Sequence, residues 1–141
     1  MFSLNGVIDG WPVSVAPLAD LLPSADLMTL EAPTDSAFLW ALVRGQLRDG
    51  RSAAMALTRV VSDVLALAPR SRLNLLLHDG QKIAATTVSH ALWLRHGGGS
   101  VIVSSEALDP GDARWQQVPD LCLLVATAAD FSIDPLDQGC S

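Results

Sequence analysis

The stretch that decides the fold is residues 52–88, SAAMALTRVVSDVLALAPRSRLNLLLHDGQKIAATTV. Its first half repeats apolar residues at helical spacing after Ser52, a candidate helix cap. After Pro69 the apolar residues alternate as in a half-buried strand, and Asp79-Gly80 predicts a two-residue hairpin turn before the chain returns over residues 83–88. The stretch therefore predicts a helix packed against an antiparallel hairpin.

The residues before this stretch predict another helix and a short strand. Thr34 is a candidate N-cap for a helix that Asp49-Gly50 ends. Residues 13–23 space their apolar side chains by three and four, which predicts a short amphipathic helix. Residues 1–12 begin as an apolar strand and contain two turn dipeptides, Asn5-Gly6 and Asp9-Gly10.

The residues after this stretch predict further antiparallel strands. The glycines at 97–99 predict a hairpin that joins residues 91–95 to residues 101–105. Residues 121–127 and 131–133 predict the last two strands, and residues 136–141 a flexible tail. Two helices followed by a run of antiparallel strands predict an α+β fold in which the helices are layered on one face of a sheet.

The composition excludes several classes of partner. The chain has 141 residues, with 9 Lys+Arg against 15 Asp+Glu and a formal net charge of −6. An acidic chain without a basic cluster lacks the electrostatic surface that binds nucleic acid or anionic membranes. The longest strongly apolar stretch, residues 121–129, is far shorter than the ~20 residues that a spanning helix needs. Because it has two cysteines and no export signal, we expect the chain in the cytoplasm.

The histidines and cysteines do not form a recognisable catalytic or metal-binding pattern. His78, His90 and His96 lack the spacing of a metal site, and we expect them at turns or on the surface. Cys122 lies in an apolar run and is expected to be a buried structural thiol, whereas Cys140 is expected in a mobile tail. The sequence has no phosphate-binding loop, dinucleotide fingerprint or serine-nucleophile elbow. We therefore predict no metal and no cofactor.

Two polar motifs have both a structural and a functional interpretation. In the structural interpretation Asn5-Gly6 is a simple turn. In the functional interpretation it is an oxyanion site, where the Asn5 amide and the Gly6 backbone N–H converge on a developing negative charge. Asp35 is either a favourable acid in the first turn of a helix or the carboxylate that receives a substrate ammonium. Neither motif alone decides between its two interpretations.

Six blocks of sequence occur in one order and spacing. They are FSLNGVIDGW at 2–11, APTDSAFLWALV at 32–43, RLNLLLHDG at 72–80, IAATT at 83–87, VIVSSEALD at 101–109 and WQQVPDLCLLVAT at 115–127. This series, which covers residues 2 to about 128, resembles the C-terminal part of class II glutamine amidotransferase-like hydrolases, whose nucleophile is an N-terminal cysteine. Within that family it is most similar to the γ-glutamyl amidohydrolases of ergothioneine biosynthesis.

The resemblance implies a fold, a chemistry and a set of site residues. The family fold is a four-layer αββα sandwich, and its cysteine thiolate attacks a γ-glutamyl amide. By this resemblance Asn5 and Gly6 form the oxyanion hole and Asp35 binds the α-ammonium of the glutamyl group. Thr34 and Ser36 are further candidates for that pocket, and Ser105-Glu106 is assigned to the scaffold or the pocket wall. The implied substrate is a small γ-glutamyl compound, γ-glutamyl-hercynylcysteine sulfoxide in the ergothioneine subfamily, and no cofactor is implied.

Two positions depart from the family pattern. Leu4 stands where the family has a histidine, and Phe2 at the second position leaves no N-terminal cysteine. We therefore expect residues 1–135 to be the C-terminal part of a glutamine amidotransferase type 2 domain that lacks its nucleophile half and is inactive alone. The expected partners are the missing N-terminal half or a second copy. The alternative is a non-catalytic remnant that only binds a separate N-terminal half.

Overall fold

The computed structural model describes residues 1–136, which form four helices and eight strands. The helices are a 3₁₀ helix at Val13–Leu21, α1 at Ser24–Met28, α2 at Asp35–Arg48 and α3 at Ala53–Leu67. The strands are β1 at Phe2–Val7, β2 at Arg72–His78, β3 at Ile83–Thr87, β4 at Trp93–Gly97, β5 at Ser100–Ser104, β6 at Trp115–Gln117, β7 at Cys122–Ala126 and β8 at Phe131–Pro135.

The strands form two antiparallel sheets. The first sheet has the order β1-β2-β3-β7-β8 and the second has the order β5-β4-β6. Helix α2 packs over β1, and α3 packs over β2, β3 and β7, so the helices cover one face of the first sheet. The prediction of an α+β fold with helices layered on a sheet is confirmed.

The core between the helices and the first sheet is built from the apolar faces that the periodicity predicts. Leu39 of α2, Leu57 of α3 and Leu73 of β2 are completely buried there. The predicted caps are also confirmed, because the hydroxyls of Thr34 and Ser52 each accept a backbone N–H from the first turn of their helix at 3.2 Å. Each cap satisfies a donor that the helix itself leaves unpaired.

A second core lies between the two sheets. Leu94 of β4 and Leu124 of β7 are completely buried in it. Residues 1–136 therefore contain three layers in the order helices, first sheet and second sheet. These correspond to three of the four layers of the αββα sandwich that the family resemblance implies.

Two predictions for the N-terminal region are wrong. Asn5-Gly6 does not form a turn, because β1 continues through it and pairs Asn5 with Asn74 of β2. Residues 13–21 form a 3₁₀ helix rather than an amphipathic α-helix. Pro17 lies inside this helix and has no N–H to donate, and Leu21, one of the apolar residues in the predicted range, is 60% exposed.

The hairpin after β2 has a four-residue loop instead of the predicted two-residue turn. His78 pairs with Ile83, which leaves residues 79–82 in the connection. The Asp79 carboxylate accepts the N–H groups of the two residues that follow Gly80, at 2.9 and 2.8 Å. Asp79 therefore closes the loop with its side chain, as aspartate commonly does in turns.

The C-terminal strands agree with the prediction. Gly97 pairs with Ser100 across a two-residue turn whose glycines both have positive φ, and β7 and β8 lie at the predicted positions. The short elements α1 and β6 were not predicted, because three to five residues carry no repeat of apolar side chains. Leu136, assigned to the tail, is buried. The rest of the predicted tail, with Cys140, lies outside the described residues.

One carboxylate beside the second sheet has a strongly lowered pKa. Asp112 accepts hydrogen bonds from Arg114, and its Oδ2 lies 3.0 Å from the Nε of Arg95 in β4. Chiefly through the Arg114 hydrogen bonds, the pKa of Asp112 is lowered to about 2. Because the folded-state pKa lies below the ordinary aspartate value of 3.8, the stabilisation is complete above about pH 4 and is lost as the pH falls toward 2.

We therefore expect Asp112→Asn to flatten the pH dependence of stability in this window. Thermal unfolding of the wild type and the variant, followed between pH 6 and about pH 2, measures the difference. The Tm of the wild type is expected to fall more steeply than that of the variant below pH 4. Parallel curves would contradict the assignment.

Candidate functional site

Gly6 lies on the outermost strand of the first sheet, and its N–H faces an open edge. Met1 and His78 exchange two backbone hydrogen bonds of 2.9 Å between β1 and β2. Because hydrogen-bonded pairs alternate along antiparallel strands, Asn5 also directs its backbone groups toward β2. The N–H of Gly6 therefore points away from the sheet, where residues 1–136 place no further strand.

The backbone at Gly6 requires a glycine for a structural reason. Its φ is +145°, and a Cβ at this position would lie 2.0 Å from the carbonyl oxygen of Arg72. The glycine thus permits the close approach of β1 to β2. The Asn-Gly motif has a structural requirement that is independent of any catalytic role.

Asn5 faces a cleft between the two sheets. The cleft has a volume of about 320 Å³, and the exposed Asn5 side chain lines it together with residues of β2, β5 and the segment before β4. Leu4, on the alternate face of β1, packs against the helical core instead. The position where the family has a histidine therefore faces the helices and not this cleft.

Asp35 accepts a backbone hydrogen bond at each carboxylate oxygen. Its Oδ2 accepts the Ile8 N–H at 3.0 Å, and its Oδ1 accepts the Ser36 N–H at 2.8 Å. The bond to Ile8 joins the first turn of α2 to a point two residues beyond Gly6, roughly 7 Å along an extended chain. A carboxylate has about four lone-pair sites, so these two bonds leave it capacity to accept from a ligand.

Thr34 and Ser36 flank Asp35 but line a different cavity. With Phe2 and Trp40 they border a groove of about 380 Å³ on the helix side of β1. The Thr34 hydroxyl is already engaged as the cap of α2. The structure thus brings Asp35 to the segment that follows Asn5-Gly6, and none of Thr34, Asp35 and Ser36 lines the cleft that Asn5 lines.

A second side chain, that of Ser71, fixes the segment that directly follows Asn5-Gly6. The buried hydroxyl of Ser71 accepts the N–H of Asp9 at 2.9 Å. Together with the bond from Ile8 to Asp35, this means that two consecutive backbone donors are satisfied by side chains from other parts of the fold. The pair holds the chain directly after Asn5-Gly6 in place.

We expect Ser71→Ala to lower the free energy of unfolding by about 1–2 kcal/mol, because it leaves the Asp9 N–H without its partner. Urea unfolding measures the change. Ser132→Ala, at an exposed serine of β8, serves as the control and is expected to have almost no effect. An equal, negligible change in both variants would show that the hydroxyl does not fix this segment.

The other candidate residues do not line the Asn5 cleft. His78 ends β2 and His90 precedes β4, as expected, but the prediction for His96 is wrong: it lies within β4, half-buried, with its ring 5.1 Å from that of Phe131. Cys122 is a buried free thiol, as predicted. Among residues 1–136, no cluster of three or more potential metal ligands occurs, and no helix in this range has the length and hydropathy of a membrane span.

Sequence reasoning missed Asn74, which lies beside Asn5. Their positions are paired across β1 and β2, and Asn74 is only 6% exposed. The available signal was an asparagine inside an otherwise apolar strand, because a buried amide requires hydrogen-bond partners. Ser105, assigned to the scaffold or the pocket wall, lines the Asn5 cleft.

Comparison with known proteins finds curated relatives that share one function name. The chain is 30% identical over 136 residues to the γ-glutamyl-hercynylcysteine sulfoxide hydrolase of Mycolicibacterium smegmatis, covering 96% of this chain and 52% of the relative. It is 30% identical over 134 residues to the hydrolase of the same name from Mycobacterium tuberculosis, covering 95% of this chain and 50% of that relative. The chain thus spans about half the length of the curated relatives it matches.

Solved structures share the fold. A glutamine aminotransferase class-II domain protein from Silicibacter pomeroyi superposes with a TM-score of 0.70 at 22% identity, covering 96% of this chain and 66% of that one. The described residues share the fold of the part of this domain that they match. A predicted glutamine amidotransferase from Pseudomonas aeruginosa superposes with a TM-score of 0.60 at 13% identity, covering 92% of this chain and 58% of that one. No family model matches the sequence.

The comparisons confirm the resemblance seen in the six sequence blocks. Both matched hydrolases carry the function name that the resemblance implies, and both solved structures share the fold. The coverage of about half the curated relatives agrees with the expectation that this chain corresponds to a portion of such a domain.

Proposed function

We propose that this chain is the C-terminal portion of a hydrolase that cleaves a γ-glutamyl amide, with γ-glutamyl-hercynylcysteine sulfoxide as the substrate. The observation that carries the proposal is the arrangement at β1: the Gly6 N–H points to an open edge, Asn5 lines the adjoining cleft, and Asp35 contacts the backbone two residues further on. Two hydrogen-bond donors for a developing oxyanion and one carboxylate for a substrate ammonium thus border one short segment.

In the proposed reaction a cysteine of an added polypeptide segment, and not Cys122 or Cys140, supplies the nucleophile. Its thiolate attacks the γ-carbonyl carbon, and the carbonyl oxygen becomes an oxyanion that accepts hydrogen bonds from the Asn5 side-chain amide and the Gly6 N–H. The C–N bond then breaks, and the amine leaves with a proton. Water hydrolyses the resulting thioester, which releases glutamate and regenerates the thiol.

Asp35 is proposed to bind the α-ammonium of the glutamyl group. Its remaining lone pairs are free to accept charge-assisted N–H bonds, and the Ile8 N–H already fixes the orientation of the carboxylate. Thr34 and Ser36 contribute by forming the first turn of α2 around Asp35 rather than by lining the Asn5 cleft.

The proposed partner is a polypeptide that adds strands at the open edges. β1 and β5 are the outermost strands of their sheets on the side of the Asn5 cleft, and both contribute residues to its lining. β1 carries no charged residue or proline, the usual features that prevent further pairing. An added segment supplies the cysteine, either within the same polypeptide or as a separate chain.

The test supplies the chain with the part of the Mycolicibacterium smegmatis relative that it does not match, as a fusion, and measures glutamate release. A γ-glutamyl amide is compared with the α-glutamyl isomer, and we expect only the γ-isomer to be hydrolysed. Asp35→Asn is expected to raise KM at least tenfold, which corresponds to a loss of roughly 1.4 kcal/mol of binding free energy. The control Asp134→Asn alters an exposed carboxylate of β8 and is expected to leave KM unchanged.

Two outcomes would overturn the proposal. A folded fusion that releases no glutamate would favour the alternative, a non-catalytic module that only binds its other half. Hydrolysis that is equally sensitive to Asp35→Asn and Asp134→Asn would remove Asp35 from the substrate site.

A further inference from the structure

Asn74 uses its whole side-chain amide to hold the segment that leads from the first sheet to the second. Its Oδ1 accepts the Val88 N–H at 2.8 Å, and its Nδ2 donates to the carbonyl oxygens of His90 and Ala91 at 3.0 and 3.2 Å. The residue is 6% exposed. One side chain on β2 therefore fixes three of the four residues 88–91 directly after β3.

The return connection, residues 118–121, is tied to the same segment. The Asp120 carboxylate accepts the Ser89 N–H at 2.8 Å, and the Leu92 carbonyl accepts the Val118 N–H at 2.8 Å. Ser89 and Leu121 have φ values of +71° and +57°, which L-residues rarely adopt. Such backbone persists only where its surroundings hold it. We call residues 88–92 and 118–121 together the inter-sheet joint.

The joint adjoins the Asn5 cleft. Ala91 and Leu92 line the cleft beside Asn5, and Val103 and Ser105 line it from the second sheet. Asn5 and Asn74 are directly paired between β1 and β2. The hydrogen bonds by which Asn74 holds the joint against β2 therefore set the distance between Asn5 and the opposite wall of the cleft.

We propose that Asn74 is a positioning residue that sets the distance between the two sheets at Asn5. It acts on the cleft through the backbone of the joint. Only the predicted effect of Asn74 on catalysis rests on the proposed function. Its effect on the distance between the sheets is tested on the chain alone.

The test measures the cleft width by pulsed electron resonance. Spin labels are placed at Ser3 and Ser105, on opposite walls, after Cys122→Ser and Cys140→Ser remove the native thiols. Asn74→Leu removes all three hydrogen bonds, and Asn74→Asp replaces the donor by an acceptor. The matched control is Thr86→Val, because the Thr86 hydroxyl makes two buried hydrogen bonds to β2, with Leu75 N–H and the Leu73 carbonyl, and none to the joint.

We expect both Asn74 variants to broaden and shift the distance distribution and Thr86→Val to leave it unchanged. Amide exchange at Val88 is expected to accelerate at least about tenfold in the Asn74 variants relative to Thr86→Val. If Asn74→Leu does not fold, Asn74→Asp carries the test. A distribution unaltered in a folded Asn74 variant, or altered equally in Thr86→Val, would overturn the proposal.

A kinetic readout separates this inference from the proposed function. In the fusion, Asn74→Asp is expected to lower kcat about tenfold with little change in KM, because a misplaced Asn5 donor acts in the transition state. A fusion without any activity would defeat the proposed function while the distance measurement still decides the role of Asn74. An active fusion whose kcat is insensitive to Asn74→Asp would overturn the positioning role.

Discussion

Replacement of Gly6 by alanine is expected to abolish the native pairing of β1 with β2. The new methyl group would meet the Arg72 carbonyl oxygen at 2.0 Å and its carbon at 2.6 Å. Neither atom belongs to a flexible side chain, so the strands themselves must separate. We expect the free energy of unfolding to fall by more than about 4 kcal/mol. This is a large part of the roughly 5–15 kcal/mol by which a typical domain is stable.

Gly97 provides a matched control for the backbone conformation. Its φ of +142° is nearly that of Gly6, but a Cβ there would meet nothing within 4 Å. Gly97→Ala therefore measures the cost of the positive φ alone, about 1–3 kcal/mol, and the difference between the variants measures the clash. Chemical denaturation gives both values. Equal losses would show that β1 and β2 tolerate separation at Gly6.

Replacement of Asn5 by alanine is expected to have the largest effect on catalysis. Loss of one oxyanion donor lowers kcat by about 10²–10³-fold, and KM is expected to change little because the donor acts mainly in the transition state. Because Asn5 is exposed in the described chain, the free energy of unfolding of the protein is expected to change by less than about 0.5 kcal/mol. Steady-state kinetics of the fusion protein measures the kinetic effect.

Ser3→Ala is the matched control for Asn5→Ala. Ser3 is exposed on the same face of β1 and lines the same cleft. We expect its removal to leave kcat within about threefold of the wild type. Similar losses in both variants would mean that the cleft is merely sensitive to change, and unchanged kcat in Asn5→Ala would remove Asn5 from the oxyanion site.

The regular elements could be predicted from the sequence because local physics determines them. The apolar spacing after Ser52 and Thr34 gives α3 and α2, and the alternation around Leu73 gives β2. Each of these patterns presents one continuous apolar face to the core. The burial of that face is what stabilises the element.

The errors arise where hydrogen bonds to other residues override the turn preference of a dipeptide. Asn5-Gly6 is a strong turn signal, but pairing with β2 keeps it extended. Asp79-Gly80 suggests a tight turn, but the Asp79 side chain stabilises a longer loop. For Asn5-Gly6 the deciding partner is a strand distant in sequence, whereas for Asp79-Gly80 it is a local side-chain contact that the dipeptide signal alone does not include.

The candidate site could be predicted only in part for the same reason. Asn5, Gly6 and Asp35 are site candidates from the order of the sequence blocks and remain predictions, and the structure brings Asp35 to the segment that follows Asn5-Gly6. The roles of Ser71 and Asn74 depend on partners 62 and 14 to 17 residues away in sequence. No local pattern reports contacts of that kind.

The most direct test of the central claim is made on the protein as its native cells produce it. The chain is isolated through a tag at its C-terminus, its intact mass is determined, and glutamate release from γ-glutamyl-hercynylcysteine sulfoxide is measured on the same sample. Our account predicts a polypeptide or complex that contains an additional cysteine-bearing segment and releases glutamate. A chain of 14.9 kDa that is folded, has no partner and releases no glutamate would contradict it.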